Sequence, residues 1–194
     1  MKKLEIIIIL ALIVIIGGGL YWLNKDNHIS SVEEGTTQLS PTQVRSIKAI
    51  GQWEFLSISD EELVDTVRKG FFKDEELARI YYGTMRLGID LKDAGEGWIQ
   101  PQGDSIVCTL PPIKLLDHNF IDEAKTQSFF ESGSWTGKDR QDMYERAYQA
   151  MKQRGLQKSN ITRAEENAMA QFTQLFQAMG IKQVKVQFEG ANNK

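Results

Sequence analysis

At 194 residues, with 23 Lys and Arg against 26 Asp and Glu and a formal charge of −3, the chain is mildly acidic and mixed in sign. This excludes a nucleic-acid binder built on clustered basic residues, and equally a polybasic patch for anionic lipid. A single cysteine, Cys108, excludes an internal disulfide, and with only two histidines no structural metal site or bound cofactor is expected.

Lys2 and Lys3 precede an apolar run from Ile6 to Leu23 that contains no charge. At ~1.5 Å per residue the run spans roughly 27 Å, close to the ~30 Å hydrocarbon core of a bilayer. Ile6, Leu10, Ile13, Ile16 and Leu20 lie along it, and Tyr21 and Trp22 stand at its far end, where amphipathic rings prefer the headgroup region. Residues 1–23 therefore read as a transmembrane signal anchor. The rival is a cleaved signal peptide ending at Gly17-Gly18-Gly19, but the apolar run continues past those glycines, and they imitate an A-x-A site poorly. The paired lysines keep the N-terminus inside, so the rest of the chain is expected on the periplasmic or extracellular side of the cytoplasmic membrane.

Residues 24–43 are polar and rich in Ser, Thr and Gly, and read as a flexible tether. As a random coil it would hold the C-terminal part of the chain roughly 25 Å from the membrane. Residues 44–190 form the expected domain. From Val44 to about His118 the signal is mostly strand: the alternation around Trp53 and Phe55, the β-branched and aromatic run Ala78–Leu91, and Ser105–Leu110 after the turn-like Gln102-Gly103-Asp104. Pro111-Pro112 interrupts any ladder, and Ile113–Asp117 can resume as an edge strand. Between them, Ser59 with Glu62 makes a capping box, and DEELVDTVRKG predicts a short helix ending at Gly70, with a strand through Leu63-Val64-Asp65-Thr66-Val67 as the alternative. Further on, Met143, Ala147, Ala150 and Met151 share a helix face within Lys138–Arg154, with Gly155 as its cap. Ile161, Ala164, Ala168, Phe172, Leu175, Phe176 and Met179 define a second amphipathic helix ending at Gly180, and Val184, Val186 and Phe188 a final strand. The expected fold is α+β: an N-terminal transmembrane helix, then one antiparallel-sheet domain with two or three helices packed mainly on one face.

Three segments in this order, YYGTMRLGIDL (Tyr81–Leu91), IVCTLPPIKLLDHNFID (Ile106–Asp122) and a closing TRAEENAMAQFTQLFQAMG helix followed by IKQVKVQF, resemble the bacterial domain of unknown function 4230. The similarity covers roughly Val44 to Phe188. It implies a single-span membrane protein with one extracytoplasmic domain, carries no activity with it, and favours extended strand around Trp53–Lys69.

Candidate chemistry is sparse. Cys108 and His118 are the one pair that suggests a nucleophile and base, yet Cys108 is in phase with Ile106 and Leu110 and points toward a core. Asp117 is adjacent to His118 and so faces the other side of a strand. Asp90 and Asp117 end strands, where a carboxylate fixes a turn by accepting backbone N–H groups. Convergence of Asp90, Asp117 and Asp93 with His118 on one cleft would make a carboxylate-based hydrolase or small-ligand site, the alternative to a non-enzymatic module. Trp98 and Trp135 lie in Gly- and Ser-rich loops, as anchors for a protein partner or for self-association, or else as lids on the domain's own core. Walker, Rossmann, G-x-S-x-G, H-E-x-x-H and EF-hand patterns are absent. No catalytic residue is assigned, and the leading expectation is a membrane-tethered envelope module of interaction or assembly.

Overall fold

The computed structural model describes residues 39–103 and 105–190. Its first helix, α1 (Pro41–Lys48), has Ser40 as N-cap in a reciprocal box with Gln43, and proline at its first turn. Ile47 buries against the core and Lys48 Nζ donates to the Ala94 carbonyl at 2.6 Å. The end of the segment read as tether is therefore helical from Pro41, because local capping starts a helix that packing then holds. The apolar run Ile6–Leu23 lies outside the described residues. Among those described, no helix is long and apolar enough to cross a membrane.

Two long strands come next, β1 (Gln52–Arg68) and β2 (Glu75–Asp90), paired antiparallel from Gln52 opposite Asp90 to Arg68 opposite Glu75, with one bulge at Phe55. At ~3.3 Å per residue the ribbon is on the order of 55 Å long. The helix expected within 59–70 is corrected here: Ser59–Arg68 is strand throughout. Its capping box is a local preference, whereas Val64 and Thr66 gain a cross-strand partner at every step and Val64 buries beneath the helices.

The second edge of β2 is lined by one returning segment. β5 (Lys114–Leu115) lies opposite Gly88 and Leu87, Ile121 bridges Gly83, and β6 (Gln127–Glu131) lies opposite Leu77–Ile80. After a 3₁₀ turn at Leu91–Asp93 comes a second sheet: β3 (Ile99–Gln102) antiparallel to β4 (Ser105–Leu110), and β7 (Gln183–Phe188) parallel to β4. The fold is α+β as expected, but with two sheets rather than one, and one pairing is parallel. A parallel pair needs a long crossover, and α2 (Gly137–Gly155) and α3 (Lys158–Ala178) supply it.

The helices cover one face of the ribbon. Leu77, Tyr81, Met85, Leu87 and Ile89 of β2 meet Met143, Ala147 and Met151 of α2 and Ala164, Ala168, Phe172 and Phe176 of α3 in one core. A side chain at Gly155 would run into Met85, so glycine lets the end of α2 sit directly on the sheet. At the outer edge of β1 the carbonyls of Phe55, Glu61 and Asp65 accept from Asn167 (2.9 Å), Arg154 (3.2 Å) and Arg146 (2.9 Å). Arg154 also pairs with Asp60 and Glu62 at 2.9 and 2.6 Å.

Candidate functional site

The aspartates are dispersed among separate structural tasks. Asp90 accepts from the Lys92 N–H at 3.0 Å and caps the 3₁₀ turn. Asp93 pairs with Lys114 Nζ at 2.6 Å. Asp117 accepts from the Asn119 N–H at 2.9 Å and lies 3.9 Å from Arg86, while its neighbour His118 is exposed. These four residues stand apart from the cavities that border the ribbon and α2. Among the described residues no group of three or more His, Cys, Asp or Glu is placed to hold a metal.

Cys108 is fully buried, and burial pushes its thiol from 9.0 up to about 12. A thiol so held is no nucleophile at neutral pH. Iodoacetamide at pH 8 should therefore label Cys108 in urea and leave the native chain unmodified, which mass spectrometry reads directly. The raised value also fixes a sign. The protonated thiol's contribution to stability is intact below pH 9 and is lost as pH climbs from 9 toward 12.

The tryptophans part company. Trp98 is 4% exposed and packs edge-on against Phe172, so its reading as a partner anchor is corrected to a core residue. Its loop carries backbone polarity at the surface while the indole fills the space between α3 and the second sheet. Trp135 is half-buried: Nε1–H donates to the Ser132 carbonyl at 2.8 Å, and the Arg68 guanidinium lies 4.6 Å above its ring. Arg68 also reaches Glu75 and Asp139, each at 3.1 Å, so Trp135 ties the far end of the ribbon to the first turn of α2.

What sequence reasoning missed is the opposite face of that far end. Leu63 stands opposite Ile80, Val67 opposite Glu76, and Phe130 opposite Ala78, all on the side turned away from the helices. Leu63, Val67 and Phe130 are exposed. At the connection from β1 to β2, Phe71 and Phe72 are 94% and 95% exposed and meet edge to face at 4.9 Å. Three exposed carboxylates share this side: Glu61 opposite Tyr82, Asp65 opposite Ala78, and Glu76. Two adjacent aromatics beside a glycine in KGFFKD were the available signal, since neighbours in a turn cannot both enter one core.

Cavities of about 450 and 590 Å³ flank the ribbon, the first beside Tyr82, Thr84 and Asp122, the second beside Leu63 and α2. A third, of about 310 Å³, lies between β2 and the start of α2, with Arg79, Tyr81, Glu123, Thr126, Arg140 and Tyr144 on its walls.

The sequence model of the family described as a protein of unknown function, DUF4230, matches residues 45–186, from within α1 to within β7. The chain belongs to this family. No curated protein and no solved structure matches it. The DUF4230 match spans both sheets and both long helices, so the two-sheet arrangement is the body of the family domain in this chain.

Proposed function

We propose that this DUF4230 protein is a single-pass protein of the bacterial cytoplasmic membrane, its domain held outside by a flexible tether and acting as a non-enzymatic interaction module. The anchor rests on Lys2, Lys3 and the run Ile6–Leu23. The interaction reading rests on one observation, the uncovered apolar side of the ribbon that runs from Leu63 through Val67 to Phe71 and Phe72. Single exposed apolar residues are ordinary, but Leu63 and Val67 on one face of the ribbon, followed at its end by two bare aromatics in mutual contact, mark a contact surface.

Its rim favours one occupant. Lys69 beside the two phenylalanines is paired with Asp74, so Glu61, Asp65 and Glu76 outnumber Lys73. These carboxylates would be repelled by anionic headgroups, and two copies meeting through this face would set carboxylate against carboxylate. The fitting partner is a protein with an apolar centre and a basic rim, anchored in or on the same membrane. Tethering raises its effective concentration, so a weak contact suffices.

Crosslinking in intact cells tests this with the full-length chain, its Phe71→Ser/Phe72→Ser form and its Glu76→Lys form. One reproducible neighbour should be captured by the parent, and on the order of ten-fold less by each variant, with unchanged melting temperature. Equal capture by parent and variants, a ladder of the chain with itself, or retention of the contact on protein-free anionic vesicles would each overturn the reading.

A further inference from the structure

Tyr81 is 1% exposed, and its hydroxyl is approached by the Arg79 side chain but makes no well-formed hydrogen bond among the described residues. The Nε of Arg79 is likewise buried and unpartnered, and no carboxylate comes within ion-pair distance of that guanidinium among the described residues. Buried polar atoms are almost always satisfied, so two orphans on the wall of one cavity call for an explanation. Removing the hydroxyl and replacing Arg79 by an apolar residue would each spare the fold one of these costs.

The surroundings say what would satisfy them. Arg79 and Tyr81 lie on the helix-facing side of β2, opposite to Ile80 and the apolar patch. Burial pushes the Tyr81 hydroxyl up, and it is opposed first by the charge and the side-chain approach of Arg79, then by the charges of Arg140 and Arg146, so three cations act on one spot. Arg140 is neutralised from outside by Glu131 at 2.7 Å, and Arg146 is turned to the Asp65 carbonyl. Arg79 lies 5.5 Å over the Tyr81 ring and feels Glu131 at longer range, but has no ion-pair partner among the described residues. Gly137, the first residue of α2, is also on the wall, at a helix start that Thr136 caps and Asp139 already offsets. Tyr81 and Tyr144 meet edge to face at 6.2 Å and give the space a flat apolar side. Glu123 stands on the wall as the lone acid, which disfavours a ligand carrying two negative charges. A volume of about 310 Å³ is at the small end of ligand cavities.

We propose that this cavity binds a small, singly charged carboxylate with a flat apolar body, its oxygens bridging Arg79 and the Tyr81 hydroxyl and its body resting on Tyr144. A planar carboxylate accepts two parallel N–H groups from one guanidinium and leaves a lone pair for the phenol.

Benzoate is the probe, titrated into the full-length chain in detergent and followed by calorimetry and by protein-observed NMR, with inorganic phosphate as comparator. Saturable benzoate binding is expected, weakened on the order of ten-fold in Tyr81→Phe and more in Arg79→Met. Because the hydroxyl makes no well-formed hydrogen bond among the described residues, Tyr81→Phe should melt no lower than the parent, whereas a hydroxyl with a structural role would lower it. The proposal is overturned by absence of saturable benzoate binding, by phosphate binding as tightly as benzoate, or by Tyr81→Phe binding benzoate like the parent.

Discussion

Phe172→Ala should lower the domain's unfolding free energy by about 3–5 kcal/mol. The Phe172 ring is wholly buried and sits where α3 meets both sheets: Trp53 at 4.8 Å, Phe176 at 6.0 Å, Phe55 at 6.2 Å and Trp98 at 6.3 Å between ring centres. Truncation leaves a void walled by other large rings, which cannot close on it without moving strands. Urea unfolding followed by far-ultraviolet circular dichroism measures the loss. Phe129→Ala is the control, since that ring is exposed and its removal should change stability by no more than ~0.5 kcal/mol. A Phe172 loss below ~1 kcal/mol would show that the aromatic cluster is not what joins helix to sheets.

Gly88→Ala should cost on the order of 3 kcal/mol, although it adds a single methyl group. A Cβ at Gly88 would collide with the Trp53 carbonyl across the ladder and lie 2.8 Å from Leu116 Cδ1. The first obstacle is backbone, so no rotamer change relieves it, and the ribbon would have to open beside the Phe55 bulge. At Gly155 the obstacle is the flexible Met85 side chain, so Gly155→Ala should be milder. Equal losses at the two sites, measured by the same urea titration, would remove the distinction. Gly88 is the first letter of the GIDL segment that carries the family resemblance, and this contact gives that letter a physical reason.

Period and punctuation were readable in the chain. Met143, Ala147 and Met151 share a face because they are four residues apart, and Pro111-Pro112 ends β4 because neither can donate to a ladder. Asp90 and Asp117 accept backbone N–H groups at strand ends, a role that residue type alone suggests. Whatever depends on distant partners was not readable. Ser59–Arg68 carries helix-start letters and becomes strand because β2 lies beside it along its whole length. The parallel union of β4 with β7 depends on how two helices route the chain, which no local pattern encodes. The cavity draws Tyr81, Glu123 and Arg140 from three separate regions, and its trace in the sequence is slight. Arg79 stands in phase with Leu77 and Tyr81, a charge on an otherwise buried stripe.

The hold of Asn167, Arg154 and Arg146 on the rim of β1 has a kinetic side. A hairpin closes in microseconds, whereas residues drawn from α2 and α3 arrive only after a large loop has closed. In that interval the ribbon is a template whose open margin invites a neighbouring chain, and the late-arriving side chains are what finally seal it. Asp60, Glu61, Glu62 and Asp65 cluster along that same strand, so unsealed ribbons repel one another. The acidic run thereby works as a gatekeeper before folding is complete, and Asp60 and Glu62 later become the seat of Arg154.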